Sequence, residues 1–585
     1  MRELNKKNFF QTKNKKRRPE DFNTFEIGLV LGGAVSAGTY TAGVLDYLFE
    51  ALEAWEAAKK KEAQLPLSQR KIPPHNVKIN VIAGGSAGGM IAAMSAAELR
   101  SAPHCLTDNG SGWPESTSRF YQVWVNEVTL EKLLADSDLK DGQRVKSILN
   151  TDILKQIAGK ILLPDSKIPP FHREYISDQL NIILTLTNLR GVPYVIKFEG
   201  NKTFEYRMRL HRDYIIFQLN RDGSLHCDDL GFSPDRVWQT LRDCGIAAGI
   251  FPIALAPQMI NRKASAFRNR KWFIPLKEEL ENGELLCTSK AEPIAPYWPP
   301  EIEADPNFDF RFLSLDGGIF NNEPFDLARR TMAPGSMLVE SDYRQTRQAI
   351  FLIEPFPEMS RYDIDYIYQG YLTETIPQFL RALINQGRFK IEDVYLAKNE
   401  NIFNRYMLAP KRSDKWPSEP LACGSLNGFS GFFNKKFRIH DYFLGRRNCQ
   451  QFLRTHFALP YEKKTDGENN PIFKDWNHAM IETYHVKDSL GVTYLPVIPL
   501  VEKVRTPIPL YPYPKLPESS LDAYRTSIKK RINTLIKSLM KNDFLKSKII
   551  YTLFGIPTAW WLSFWLTPKI LKLVKDDFKN GKLIH

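Results

Sequence analysis

Cysteine is scarce: six residues in 585, at 105, 227, 244, 287, 423 and 449, with no C-x-x-C pair among them. That spacing excludes a cysteine-ligated zinc site and a disulfide framework as organising features, and a reducing compartment is the natural setting. A secretory leader is lacking too. The first residues are basic, but no apolar run of about 7 to 15 residues follows, so export by that route is not expected. There is no internal repeat, no G-x-G-x-x-G dinucleotide fingerprint and no carboxylate-rich calcium loop, so the residues point to no cofactor and no metal. Most of the chain also lacks excess charge. The net charge is +14, yet residues 1–20 hold eight Lys/Arg against two acids and residues 515–585 hold fourteen against five, so the two ends carry all of it. A nucleic-acid binder carries its basic patch on the folded body beside groove-reading or aromatic motifs; none occurs, and nucleic acid is not an expected partner. Basic ends beside apolar segments fit an anionic membrane surface instead.

What is present is globular: 43% hydrophobic and 25% charged residues are enough for a large core. The length allows three or more domains, or one large α/β domain with additions. FEIGLVL (25–31) reads as a buried strand, followed by a Gly-rich turn and a helix with Val44, Leu45, Leu48, Phe49, Leu52 and Trp55 at helical spacing. KINVIAG and SAGGMIAAMSAAEL repeat that order. Repetition of strand, turn and helix predicts a parallel or mixed sheet with helices on its faces. LNIILTL (180–186) and VPYVIKF (192–198) read as two further strands, and QAIFLIEPF (348–356) as another. PIPLYPYPKLP (507–517) reads as a stiff Pro-rich linker. Beyond it, Leu521, Tyr524, Ile528, Ile532, Leu535 and Leu539 mark one face of a basic amphipathic helix. Residues 549–566 then run uncharged between Lys548 and Lys569. Eighteen helical residues cover about 27 Å against a hydrocarbon core of about 30 Å, marginal for spanning. Trp560, Trp561 and Trp565 suit the interface better.

Three segments carry chemistry. Gly84-Gly85-Ser86-Ala87-Gly88 is a G-x-S-x-G between a β run and a small-residue helix, where a strand must turn sharply with the serine at its apex. Ala34-Val35-Ser36-Ala37-Gly38 also follows a strand and precedes a helix. Its loop, from Gly32 to Gly38, is the more plausible source of backbone N–H groups for an oxyanion. The proton of Ser86 needs an acceptor. His172, His211, His226, His440, His456, His478, His485 and His585 follow the serine, and none sits in a catalytic motif, His440 being the best rival. FLSLDGGIFNNEPF (312–325) instead puts Asp316 at a strand end before Gly317 and Gly318, where α/β folds collect catalytic groups. An aspartate with its ordinary pKa near 3.9 is a poor base unless burial raises it.

Together, LGGAVSAGTYTAGVL, VIAGGSAGGMIAAM and LDGGIFNNEP, with LRDCGIAAGIFPIAL (241–255) between the last two, resemble the patatin-like phospholipases over about residues 25–335. The resemblance implies an α/β fold, a three-layer α/β/α sandwich with a mixed central sheet and a C-terminal helical extension. It implies Ser86 as nucleophile, Asp316 as its dyad partner, and backbone around Gly32, Gly33 and Ala34 as the oxyanion hole, with Gly38, Gly84, Gly88, Gly317 and Gly318 as motif support. The family's basic residue in the first loop is missing here. The expected organisation is a basic tail (1–24), a catalytic domain (25–410), a helical cap or extension (411–506) to which YLTETIPQFLRALINQGRF also points, the linker (507–517) and membrane-associating helices (518–585). The implied substrate is a phospholipid or other acyl lipid, met on the cytoplasmic side of a membrane bound through residues 518–570. Two other readings stand beside it: a Ser-Asp-His esterase using His440, and a non-catalytic lipid-binding scaffold.

Overall fold

The computed structural model describes residues 23–585 except 109, 111, 140–142, 164–168, 198–204, 228–233, 269, 282–283, 306, 333–341, 357–369, 372–374, 376–377, 380–381, 383–401, 413–419, 463–468 and 545–550. The basic tail and most of the cap segment at 371–389 lie outside the described residues.

A largely apolar run, buried at Phe25 and from Ile27 to Leu31, builds the first strand, β1 (Thr24–Leu31), and a Gly-rich turn leads into α1 (Gly38–Glu62). The order recurs in β2 (Asn76–Gly84) and α2 (Ser86–Arg100). There follow β3 (Ile176–Lys197), β4 (Glu205–Asn220), α3 (Pro234–Ala248), β5 (Gln258–Lys263), β6 (Asp309–Asp316), α4 (Phe325–Met332), β7 (Gln348–Ile353) and β8 (Arg405–Leu408). The strands join in one mixed sheet in the order β8-β7-β1-β2-β3-β6-β5, with β4 paired to β3. β8, β7, β1, β2 and β3 run parallel; β4, β5 and β6 are joined by antiparallel pairings.

Side chains of β1 alternate between the two faces of this sheet. Ile27, Leu29 and Leu31 join a large core with α1, α2 and α3, while Val30 joins Val81, Ala83, Ile183, Ile350 and Leu352 beneath Phe325 and Ala328 of α4. Helices on both faces make it a three-layer α/β/α fold. A further long helix, α5 (Lys435–Thr455), crosses α1 so closely that side chains at Gly43 and Gly445 would strike the Tyr442 and Tyr40 carbonyls. The crossing is pinned by Arg446, which pairs with Asp46 and Glu50 of α1.

Three expectations are corrected. The two strands expected at 180–186 and 192–198 are one, β3, because the Asn188–Gly191 turn is absorbed as a bulge: Asn188 Oδ1 accepts the Arg190 and Gly191 amides, and pairing to β4 resumes at Val192. The Pro-rich segment 507–517 has no helix but is not a free linker. Tyr511 stacks on Trp113 at 4.1 Å, and Leu516 exchanges backbone hydrogen bonds with Leu583 and His585. The basic amphipathic helix, α6 (Arg525–Leu539), buries Ile528, Arg531 and Leu535 against the protein rather than offering that face to a membrane. Its neighbour α7 (Ile556–Asn580) buries Ala559, Ser563, Thr567, Leu571, Val574 and Phe578. Among the described residues, no helix is long and apolar enough to cross a membrane.

Candidate active site

Ser86 and Asp316 meet because two strands end head to head. β4 fills one edge of β3. Along the other edge β2 runs parallel and stops with Gly84 opposite Leu184, while β6 runs antiparallel and stops with Asp316 opposite Leu186. Only Thr185 lies between them. Both chains must turn out of the sheet at that gap, and the glycines let them do so: a side chain at Gly317 would collide with the Thr185 carbonyl. Thr185 Oγ1 donates to the Asn321 carbonyl at 3.0 Å, and Thr187 Oγ1 donates to that of Asp316 at 2.7 Å, so β3 fixes the turn after β6.

At the gap Ser86 Oγ donates to Asp316 Oδ2 at 2.7 Å. The other carboxylate oxygen, Oδ1, accepts the Gly318 amide at 2.7 Å. Ser86 holds φ of +51°, a left-handed conformation that costs an L-residue free energy and persists where the surroundings over-determine it. It starts α2, so the positive end of the helix dipole lies at Ser86. Burial pushes the Asp316 carboxyl up to about 7, against the opposing hydrogen bonds from Ser86 and Gly318. An aspartate so placed is a competent base near neutrality.

The Gly-rich loop reaches the same point from β1. Gly33 lies directly against Ser86, where a side chain would collide with Ser86 Cβ and Asn322 Oδ1. The amides of Gly33 and Ala34 donate no hydrogen bond among the described residues. Gly32 is corrected: its amide donates to the Ile353 carbonyl at 2.9 Å, still in the ladder between β1 and β7, and is not free for an oxyanion. Ser36 is buried, with its hydroxyl donating to the Gly428 carbonyl and accepting the Gly431 amide, a structural role. Among the motif glycines, Gly88 lets α2 meet the end of β1, where a side chain would hit the Leu31 carbonyl; Gly38 and Gly84 lie in similarly close packing, and Gly318 abuts Asn322 and Asp316.

The fourth sequence block has a physical task. After α3, the Ile250 carbonyl accepts the Asp316 amide at 2.9 Å and that of Ala248 accepts the Gly317 amide at 3.2 Å. Phe251 and Ile253 then emerge exposed, Ile253 at φ of +68°, and Ile148 donates its amide to the Ile253 carbonyl. This makes an apolar rim next in the chain to the carbonyl that accepts the Asp316 amide.

No histidine is hydrogen bonded to Ser86 among the described residues. His440 lies buried on α5, its Nδ1 at 2.7 Å from Asp441 Oδ1 and its Nε2 against Arg412. Sequence reasoning missed Thr185, Thr187 and the role of Asn322, which donates to Gly33 O at 3.4 Å and to Glu323 Oε1 at 2.5 Å. The threonines had a signal: two hydroxyls at alternate positions of an otherwise aliphatic strand, LNIILTLTN, share one face.

No family model matches the chain. It is 32% identical over 554 residues to the "Uncharacterized protein y4iI" of Sinorhizobium fredii (strain NBRC 101917 / NGR234), a match covering 87% of this chain and 74% of that protein.

Proposed function

The chain belongs to the family of that uncharacterized Sinorhizobium fredii protein, and on this premise we propose that it is a serine lipid acyl hydrolase of the patatin-like kind, cleaving fatty acyl esters. The observation that carries the reading is the 2.7 Å hydrogen bond from a strained Ser86 at the start of α2 to a buried Asp316. Asp316 accepts the hydroxyl proton as Ser86 Oγ attacks the ester carbonyl. The Gly33 and Ala34 amides stabilise the resulting oxyanion. Collapse expels the alcohol, which takes the proton back from Asp316, and leaves an acyl-enzyme. Water, deprotonated by Asp316, then releases the fatty acid and restores Ser86. The exposed rim at Phe251 and Ile253 suits an acyl chain.

The substrate reading brings a membrane surface with it. On and just before α7, Leu553, Phe554, Trp560, Trp561, Phe564 and Trp565 are exposed. Lys529 sits over the Trp560 and Phe564 rings and Lys569 over Trp565 at 3.3 Å. Exposed aromatics interleaved with lysines fit the interface of an anionic bilayer. The membrane contact is therefore assigned to α7 within residues 518–570.

The test is release of labelled fatty acid from mixed phospholipid vesicles by wild type, Ser86→Ala and Asp316→Ala, each checked for folding. Loss of activity in both variants supports the dyad. A folded wild type inactive on phospholipid and on a simple ester, with Ser86 unlabelled by a fluorophosphonate, sinks the hydrolase reading and favours a lipid-binding scaffold.

A further inference from the structure

The loop that carries Gly33 and Ala34 rests on a segment nearly 400 residues away. The Gly428 carbonyl accepts the Ser36 hydroxyl, Ser36 Oγ accepts the Gly431 amide at 3.0 Å, and a side chain at Gly428 would come within 2.9 Å of the Ala34 carbonyl oxygen. That supporting segment is wound in the unfavourable sense. Leu426, Asn427 and Gly428 follow one another at φ of +54°, +53° and +90°. Left-handed backbone is disfavoured for L-residues, and two in succession do not persist unless something outside the turn holds them.

What holds them is the end of α7. Asp577 Oδ2 accepts the Leu426 amide at 2.7 Å. Gly581 packs so closely on Ser425 that a side chain there would strike its hydroxyl, and the Phe578 ring stands edge-on to Phe433 and Phe437 with centroids 5.4 and 5.8 Å away. One helix of 25 residues thus presents the aromatic ridge along its first half and supports the oxyanion loop from its last turn.

We propose that Asp577 is a positioning residue for the oxyanion hole: by holding the left-handed turn at Leu426–Gly428 it sets the loop that carries Gly33 and Ala34, and it ties that loop to the lipid-facing helix α7. The inference rests on the reading of Ser86 as the nucleophile. A carboxylate two segments away from the chemistry acts here through the turn's contacts with Ser36 and the Ala34 carbonyl, so its removal displaces the loop without touching substrate, Ser86 or Asp316.

The experiment compares wild type, Asp577→Ala, Asp577→Asn and the exposed neighbour Asp576→Ala. It measures hydrolysis of p-nitrophenyl butyrate and the rate at which a fluorophosphonate labels Ser86, with and without vesicles of phosphatidylcholine and phosphatidylglycerol. Misplacing a catalytic loop by a fraction of an ångström costs roughly tenfold to a hundredfold in rate. Asp577→Ala is therefore expected to lose about that much kcat with KM within about twofold of wild type, and to lose the acceleration by vesicles expected of wild type. Asp577→Asn, whose side-chain oxygen can still accept the Leu426 amide, is expected to recover most of kcat, and Asp576→Ala to match wild type. If Asp577→Ala does not fold, the double variant Asp577→Ala/Leu426→Gly decides: glycine at 426 leaves Asn427 as the turn's one strained residue and is expected to restore the fold and most of kcat. A folded Asp577→Ala that labels and turns over as wild type does, or a double variant that folds and stays impaired, overturns the proposal. A wild type that does not label refutes the nucleophile reading instead, and the two failures are distinct.

Discussion

The pKa of one carboxylate links rate and stability at this site. In the proposed mechanism Asp316 must be ionised to take the Ser86 proton, and burial raises its pKa to about 7. We expect kcat/KM to fall below pH about 7 along a single-proton limb, measured on a soluble ester so that lipid titration does not intrude. The same shift has the opposite effect on stability. A carboxyl whose folded pKa lies above its unfolded value contributes stability that is fully present below about pH 4 and is lost as pH rises through about 7. Asp316→Asn removes that loss. It is expected to be inactive and, on the order of 4 kcal/mol at most, more stable than wild type at pH 8, with the difference vanishing near pH 4; urea unfolding at both pH values measures it. His440→Ala separates the rival base. Since His440 is buried between Asp441 and Arg412, its loss should lower the unfolding free energy from urea titration by about 1 to 3 kcal/mol while the folded fraction keeps its kcat/KM. A folded, stable and inactive His440→Ala would restore the esterase reading. At this scale the positions of Ser86 at a strand-to-helix turn and of Asp316 at a strand end were legible, because both are local patterns, and the structure brings the two into hydrogen bond. Gly32 was misassigned because whether an amide is free depends on where the ladder between β1 and β7 ends, which no local pattern records.

Among the elements, α6 and its arginine tie the C-terminal helices to the mouth of the site. Arg531 is buried, donates to both carboxylate oxygens of Asp138, and donates to the carbonyls of Ala135 and Ile148. Ile148 in turn pairs with Ile253 on the rim. Arg531→Ala takes the guanidinium away from Asp138 and from the Ile148 carbonyl, while the Ala135 carbonyl keeps the Asn150 side-chain amide, and a loss of about 3 kcal/mol is expected from the urea midpoint. It should also loosen the rim, so that KM for long-chain esters rises more than KM for butyrate. Equal changes in both would detach α6 from substrate binding. The periodicity of this helix was legible, but its environment was not. Ile528 and Leu535 read equally as a membrane face or as a buried one, and Arg531 on the same face as Leu535 was the clue: a cation among apolar positions points to a carboxylate partner in the protein. The long β3 was read as two strands for a similar reason. N-L-R-G-V looks like a turn in sequence, and only pairing with β4 on both sides turns it into a bulge.

Across the whole molecule, two of the C-terminal lysines and the exposed rings of α7 occupy one place. Lys529 comes from α6 and Lys569 from α7, yet both lie against the same aromatic ridge. A surface of that kind binds by two additive terms, apolar insertion and attraction to anionic headgroups, and only the second is screened by salt. Trp560 and Trp561 are each about 58% exposed, so entering the interface can bury only part of each ring. Replacing both by alanine should remove about 2 kcal/mol of partitioning, roughly thirtyfold in vesicle affinity, on phosphatidylcholine and phosphatidylglycerol alike. Replacing Lys529 and Lys569 by glutamine should weaken binding to phosphatidylglycerol vesicles only, and raising salt should reproduce that loss in wild type but not in the lysine variant. Sedimentation with vesicles of each composition measures all of it. If the tryptophan pair changed nothing while the lysine pair abolished binding, the ridge would be a protein-contact surface flanked by adventitious charge, and α7 would reach the oxyanion loop for a reason unconnected with lipid.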